Sequence, residues 1–156
     1  MPGKLLVFGA GFTGSRLVAA LQAEGWQAAG TSRSGENGTL LFEDGGRLAG
    51  EALAGVTHVV ASVPPGGDGD PVLNAHAGDL ARSETLVWAG YLSSTGGYGD
   101  HGGAWVDELS ETRPTAERSK RRLAAEMAWT EWGKAAGIPA VSYTHLTLPT
   151  TWSGEI

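Results

Sequence analysis

Short apolar runs alternate with longer segments of mixed polarity along most of this chain. The apolar and β-branched runs predict strands, at residues 4–8, 27–31, 39–42, 57–63, 85–94 and 138–142. Segments with apolar residues spaced three and four apart predict helices, at residues 13–24, 72–80 and 115–136. Strands that alternate with helices indicate βαβ units. The pattern therefore predicts an α/β fold, a doubly wound parallel sheet in a three-layer αβα arrangement.

The predicted helices carry signals at their ends. Gly25 and Gly137 follow the first and third helices, where a glycine commonly ends a helix. Asp70 and Pro71 precede the second helix as cap and first-turn residue. In the third helix the spacing predicts a core-facing set: Leu123, Met127, Ala128, Trp132 and Ala135 or Ala136.

The turn between the first strand and the first helix has the pattern G-x-G-x-x-G. Gly9 permits the tight turn, Gly11 lets phosphates approach the backbone, and Gly14 lets the helix pack closely on the strand. The N–H groups and positive dipole end of the helix face the anion, with Phe12 and Thr13 in the same turn. A strand precedes the motif and a helix follows it, so it predicts a dinucleotide site in a Rossmann-type fold. An ordinary glycine-rich turn is the alternative.

Composition narrows the classes of function. A formal net charge of −6 argues against general nucleic-acid binding. The absence of cysteine excludes disulfides, thiolate metal sites and a cysteine nucleophile, and no histidine pair has metal-ligand spacing. No apolar run approaches the roughly 18 residues of a membrane span, and no basic and apolar leader precedes the first strand. We therefore expect a cytoplasmic protein with no metal, membrane or nucleic-acid partner.

The end of the second predicted strand indicates which dinucleotide binds. NAD-binding folds usually place a carboxylate there for the ribose 2′-hydroxyl, whereas this chain has Thr31, Ser32 and Arg33. Two hydroxyls and a guanidinium suit a 2′-phosphate, because arginine offers several donors in a planar fork. These residues favour NADP. Glu36 lies close by and could bond a 2′-hydroxyl, which leaves NAD as the alternative.

Three segments together resemble one known family. They are the glycine turn, Ser62-Val63-Pro64-Pro65 after the fourth strand, and the Ser-Ser-Thr-x-x-Tyr-Gly pattern at residues 93–99 after the fifth. This combination resembles the extended short-chain dehydrogenase/reductase superfamily, which includes NAD(P)-dependent epimerases and dehydratases of nucleotide sugars. The resemblance covers about residues 4–141. It implies a Rossmann-type fold, NAD(P)-dependent chemistry on a small molecule, and cofactor contacts from Ser62, Val63 and Pro64.

The resemblance also implies a catalytic set. A hydroxyl at the end of the fifth strand bonds the substrate oxygen in that family. Ser94, four residues before Tyr98, is the expected counterpart here, with Ser93 and Thr95 as alternatives. A Tyr-x-x-x-Lys pair on the next helix completes the family's site, but Arg118 and Arg122 occupy those two positions in this chain. A guanidinium stays protonated and cannot act as an acid–base group. Tyr98 is the candidate substitute acid, with a packing role in the loop as its alternative.

Further polar and aromatic residues have weaker signals. We expect the carboxylates of the loops to be solvated surface charges: Asp68, Asp70, Asp107 and Glu108. Trp105 either closes over a ligand or anchors its loop. His58 is expected to be structural. His76, on a predicted helix, and His101, in a loop, have no histidine partner at a spacing of four residues, which argues against a metal site.

Two function classes remain open: an NADP-preferring oxidoreductase or epimerase/dehydratase-like enzyme, and a non-catalytic dinucleotide-binding sensor. The threonine-rich residues 142–156 do not continue the family pattern. We therefore divide the chain into an NAD(P)-binding domain at 1–141 and a tail at 142–156 that derives from a frameshift or read-through, a genuine short tail being the alternative. The C-terminal, substrate-binding part of the fold would then be missing. Exposed sheet edges would favour homo-oligomers or aggregation.

Overall fold

A computed structural model describes residues 2–43 and 46–144. The strands are β1 (Lys4–Phe8), β2 (Gln27–Ser32), β3 (Leu40–Leu41), β4 (His58–Ala61), β5 (Trp88–Leu92) and β6 (Ala140–Tyr143). The helices are α1 (Phe12–Ala23), α2 (Gly50–Leu53), α3 (Pro71–Ala81) and α4 (Glu117–Ala136), with a 3₁₀ turn at Thr95–Gly97. The strands form one sheet in the order β3-β2-β1-β4-β5-β6, and every neighbouring pair is parallel. The predicted Rossmann-type α/β fold is confirmed.

The core lies on both faces of the sheet, as β1 illustrates. Successive side chains of a strand point to opposite faces. Leu6 and Phe8 pack in the larger core beneath α3 and α4, whereas Leu5 and Val7 pack in the smaller core beneath α1. This double burial explains the continuous apolar run that predicted the strand.

Helix α4 buries a different set of residues from the predicted one. Its buried residues are Ala125, Trp129 and Gly133, while Met127 is 59% exposed. Of the predicted core-facing set, Trp132 and Ala136 do pack against the core. The prediction was wrong for Met127, because apolar and small residues occur on every side of this helix and their spacing selects no single face. Packing selects it instead: the Trp129 ring stacks on Tyr91 with centroids 6.4 Å apart.

The ends of several elements differ from the prediction. The one-turn helix α2 has no sequence signal and was not predicted. Strand β6 continues through Ser142 and Tyr143, two residues past the predicted end of the domain. The rest of the predicted tail, residues 145–156, lies outside the described residues. Among the described residues, none of the helices has both the length and the apolar character needed to cross a membrane.

Candidate dinucleotide-binding site

The three glycines of the motif have three different surroundings. Gly9 has φ +88°, a conformation that favours glycine. A Cβ on Gly14 would lie 2.7 Å from the Gly9 carbonyl oxygen, so only glycine lets α1 approach the turn this closely. A Cβ on Gly11 would meet nothing within 4 Å. The open side of the turn is therefore at Gly11, where a ligand can reach the backbone.

Hydrogen bonds from two neighbouring strands hold the glycine turn. The Gly9 N–H donates to the Thr31 hydroxyl at the end of β2, at 3.0 Å. The Ser62 hydroxyl, which directly follows β4, donates to the Gly9 carbonyl at 2.7 Å. The backbone N–H of Ala10 donates to the Thr31 carbonyl at 2.7 Å. The turn is thus pre-organised by both strands that flank β1.

The N-terminus of α1 is available to an anion. Its cap residue is Gly11, no side chain caps it, and its first turn has no acidic residue. The first N–H groups of a helix lack intrahelical partners and carry its positive dipole end. Phe12 is 78% exposed beside this end, and the Arg16 guanidinium lies 4.3 Å from its ring centroid. The local charge therefore suits a phosphate.

A cleft of about 670 Å³ opens at the carboxyl ends of the strands, where ligands of such sheets bind. It is formed by the glycine turn, the segment after β4, the end of β5 and the first turns of α4. Its lining residues are Gly11, Phe12, Thr13, Gly14, Ser62, Pro64, Pro65, Leu92, Ser93, Ser94, Gly96, Arg118, Ser119 and Arg122. Another depression, of about 560 Å³, is lined by loops that precede β4 and β5 and contains no residue of the motif.

Two arginines give the cleft a positive wall in an acidic protein. Arg118 and Arg122 both line it, and no carboxylate does so among the described residues. Arg122 Nη1 donates to the Leu92 carbonyl at the end of β5, at 2.9 Å, which fixes the guanidinium against the sheet. Both arginines, at the sequence positions where the resemblance expects the Tyr-x-x-x-Lys pair, therefore share the cleft with the glycine turn.

The two candidate catalytic residues are separated. Ser94 is exposed in the cleft, and its hydroxyl accepts a hydrogen bond from the Gly96 N–H at 3.1 Å. Tyr98 is buried outside the cleft lining, and its hydroxyl lies 3.4 Å from the Thr144 hydroxyl. This position corresponds to the packing alternative for Tyr98.

The predicted 2′-phosphate residues also differ in their surroundings. Thr31 is buried and bonds the glycine turn, so its hydroxyl is already occupied. The Ser32 hydroxyl lies 2.6 Å from the Thr39 hydroxyl and accepts the Gly35 N–H at 3.0 Å. Arg33 is exposed directly after β2. Of the three, only Arg33 keeps its side chain free for a ligand in the geometry shown.

Other sequence candidates are assigned to structural roles. Asp70 caps α3 as predicted, but it is 3% exposed, so the expectation of a solvated carboxylate was wrong. Its burial follows from its position beneath α4, which local sequence does not reveal. His76 is buried between the Leu48 N–H and Asp79. Trp105 is fully exposed and covers nothing. No metal-binding group of side chains occurs within residues 2–43 and 46–144.

Some lining residues were missed by sequence reasoning. Ser119 and Gly96 line the cleft beside residues that were predicted. The sequence could have indicated them through their nearness to predicted residues: Ser119 follows Arg118 in the same helical turn, and Gly96 follows Ser94 in the same loop. Val63, predicted as a cofactor contact, packs against the core instead of lining the cleft.

Solved structures share this fold. A functionally unknown conserved protein from Silicibacter pomeroyi DSS is 39% identical with a TM-score of 0.79, over 91% of this chain and 52% of that one. UDP-glucuronic acid 4-epimerase from Bacillus cereus, in complex with UDP-glucuronic acid and NAD, is 20% identical with a TM-score of 0.71. The match covers 90% of this chain and 55% of the epimerase chain. A nucleoside-diphosphate sugar epimerase from Corynebacterium glutamicum is 20% identical with a TM-score of 0.72. The match covers 92% of this chain and 34% of that epimerase chain.

No protein-family model matches the sequence, and no curated protein matches it either. The chain spans about half the length of the first two structures. The predicted resemblance to the extended short-chain dehydrogenase/reductase group is thus confirmed at the level of the fold. The chain has the Rossmann-type fold of the NAD-dependent epimerases and dehydratases.

Proposed function

We propose that this chain binds an NAD(P) dinucleotide, with the pyrophosphate on the glycine turn and the rest of the cofactor along the cleft. The open side of Gly11 carries the proposal, because a Cβ there would occupy the space that a phosphate needs. The uncapped N-terminus of α1 supplies N–H donors. Arg118 and Arg122 add positive charge to the lining of the same cleft.

The proposed preference is for NADP over NAD, and it depends on Arg33. A guanidinium directly after β2 can pair with a 2′-phosphate. The hydroxyls of Thr31 and Ser32 have protein partners, which leaves the arginine as the discriminating group. Glu36 is exposed in the same loop and supports the NAD alternative through a 2′-hydroxyl.

Replacing Arg33 by alanine should weaken NADPH binding by about tenfold and leave NADH binding unchanged, since a charge-assisted bond contributes roughly that much. Calorimetric titration with both cofactors measures the ratio of the NADPH affinity to the NADH affinity. Arg121→Ala is the matched control, because Arg121 is an exposed arginine outside the cleft lining. An unchanged ratio in Arg33→Ala would refute the NADP preference.

The activity we propose is that of an oxidoreductase or an epimerase/dehydratase-like enzyme. When bound, the nicotinamide would supply hydride transfer. The Ser94 hydroxyl lies in the cleft near the end of β5 and can bond a carbonyl or hydroxyl oxygen of a substrate.

A second candidate function is a dinucleotide sensor without chemistry. The two positions that the resemblance assigns to a tyrosine and a lysine are arginines in this chain, and guanidinium groups do not exchange protons near neutral pH. Tyr98, the substitute acid, is buried outside the cleft lining. These positions favour a protein that binds a dinucleotide without catalysing a reaction.

Two assays discriminate between the candidates: oxidation of NADPH with a panel of carbonyl compounds, and chromatographic detection of products from a panel of nucleotide sugars, since epimerisation and dehydration cause no net oxidation of the cofactor. For an enzyme, Ser94→Ala should reduce turnover by ~100-fold, the typical effect of removing one donor to a reacting oxygen. Tyr98→Phe should reduce it only if the tyrosine is an acid. Turnover lost in both variants would eliminate the sensor. Tight cofactor binding without turnover on any substrate would eliminate the enzyme.

A further inference from the structure

Two arginines on one face of α4 have no carboxylate beside them in the cleft. Arg118 and Arg122 are four residues apart, so they lie on the same side of the helix, one turn from each other. Like charges at this spacing repel each other. Within residues 2–43 and 46–144, neither guanidinium takes part in an ion pair. Two neighbouring guanidinium groups without a counter-charge are typical of a site that binds an anion.

The carboxylates nearest to these arginines along α4 have other partners. Glu117 forms an ion pair with Lys120 at 2.8 Å. Glu126 accepts a hydrogen bond from the Ser93 hydroxyl. The helix therefore does not neutralise the two positive charges that it presents to the cleft.

The Arg122 guanidinium is held at the end of β5. Its Nη1 donates to the Leu92 carbonyl at 2.9 Å. An arginine has five N–H donors, so this bond leaves others for a ligand. Burial raises the pKa of Asp70, and the positive charge of Arg122 opposes this shift without an ion pair between the two side chains. The guanidinium is thus positioned mainly by a neutral acceptor.

Two hydroxyl groups lie beside the arginines, around Gly96. A Cβ at Gly96 would lie only 2.8 Å from Ser119 Oγ and 3.3 Å from Ser94 Oγ. Both serines line the cleft. Ser119 follows the first arginine directly and precedes the second by three residues. Hydroxyl and guanidinium groups together offer the donors that a carboxylate or a phosphate accepts.

These groups lie two strands away from the glycine turn. The register pairs Phe8 with Ala61, and Ala61 with Tyr91, so β1 and β5 end at the same level. Neighbouring strands are about 4.8 Å apart. The Leu92 carbonyl that holds Arg122 is therefore roughly 10 Å from the end of β1.

In the proposed binding mode, the phosphates of the dinucleotide lie elsewhere. The pyrophosphate lies on the turn after β1, and a 2′-phosphate lies near Arg33 after β2, on the side of β1 away from β5. The nicotinamide nucleoside has no anionic group, and its oxidised ring is a cation. An anion beside the two arginines must therefore come from the substrate.

We propose that Arg118 and Arg122, with the hydroxyls of Ser94 and Ser119, bind a carboxylate or phosphate group of the substrate. The assignment to the substrate rests on the proposed function, because it requires the dinucleotide on the glycine turn. A guanidinium pairs with either group through two parallel N–H donors. The substrate class is thus a carboxylated or phosphorylated alcohol or carbonyl compound.

NMR titrations of the ¹⁵N-labelled chain with sodium phosphate, and separately with sodium acetate, test this site. The backbone amide signals of Gly96 and Ser119 should shift saturably with at least one anion, and the anion that binds more tightly identifies the class of substrate. Sodium chloride at matched ionic strength is the control for charge screening. Each titration is repeated with NADPH at a concentration that saturates its own calorimetric binding curve, and anion binding should persist there.

Three variants locate the binding. Arg118→Gln and Arg122→Gln should each weaken binding of the anion about tenfold, the typical effect of losing one charge-assisted bond. Arg121→Gln should leave it unchanged, since Arg121 is exposed in the same helix but outside the cleft lining. Arg118 is exposed as well, so its replacement separates ligand binding from folding. Equal effects of all three variants would overturn the site.

The remaining results distinguish this inference from the proposed function. If neither anion binds saturably, the anion site is refuted, whether or not a dinucleotide binds. If NADPH abolishes anion binding competitively, the arginines hold the cofactor's own phosphates, which refutes the substrate assignment and supports dinucleotide binding. If the anion binds through both arginines while NADPH and NADH do not bind, the proposed function fails and the anion site is upheld.

Discussion

Replacing Gly11 by valine should abolish dinucleotide binding while the fold remains intact. A side chain at this position meets no protein atom within 4 Å, and the backbone there is extended, with φ −72° and ψ −155°. The valine would instead fill the space over the turn that the pyrophosphate needs. We expect affinity for NADPH and NADH to fall by at least ~100-fold, about 2.8 kcal/mol.

Gly50→Val is the matched control for this prediction. A side chain at Gly50 also meets nothing within 4 Å, but this glycine lines the other depression, away from the motif. Titration calorimetry gives the affinities, and circular dichroism with thermal unfolding reports on the fold. If Gly11→Val bound either cofactor as tightly as Gly50→Val does, the glycine turn would not be the pyrophosphate site.

Replacing Phe8 by alanine should produce the largest loss of stability, about 3–5 kcal/mol of the free energy of unfolding. Phe8 is 0% exposed at the end of the central strand β1. Its ring meets Phe42 edge to face at a centroid distance of 5.1 Å and lies 5.7 Å from the His76 ring. Its removal would leave a cavity between the sheet, the segment after β3 and α3.

Chemical denaturation measures the loss of unfolding free energy in Phe8→Ala, with Phe12→Ala as the control. Phe12 is 78% exposed, so its replacement should change the unfolding free energy by less than about 0.5 kcal/mol. Equal effects from the two phenylalanines would contradict the assignment of the core. A substantial loss of dinucleotide affinity in Phe12→Ala alone would instead identify a direct contact of that ring with the ligand.

The fold was predictable because parallel strands covered on both faces are apolar throughout. The run at β1 and the glycine motif after it identified the central βα unit without ambiguity. Helix α4 shows the limit of this reasoning. Its buried face depends on where Tyr91 and β6 lie, and these contacts connect residues far apart in sequence.

The candidate site was predictable in its outline and not in its details. Arg118 and Arg122, which the resemblance singled out, both line the cleft. The resemblance could not show that the Thr31 hydroxyl bonds the glycine turn, or that Asp70 is buried. Residue types indicate what a side chain can bond, whereas the choice among partners is made by tertiary packing.

The two hydroxyls that hold Gly9 make the shape of the glycine turn depend on the docking of both neighbouring strands. The bond from Ser62 to Gly9 spans 53 residues, and the bond from Gly9 to Thr31 spans 22. The cradle therefore exists only after β2 and β4 have both docked beside β1. A truncated chain that ends before β4 would lack the Ser62 bond, and a dinucleotide that binds the cradle would stabilise the docking of all three strands at once.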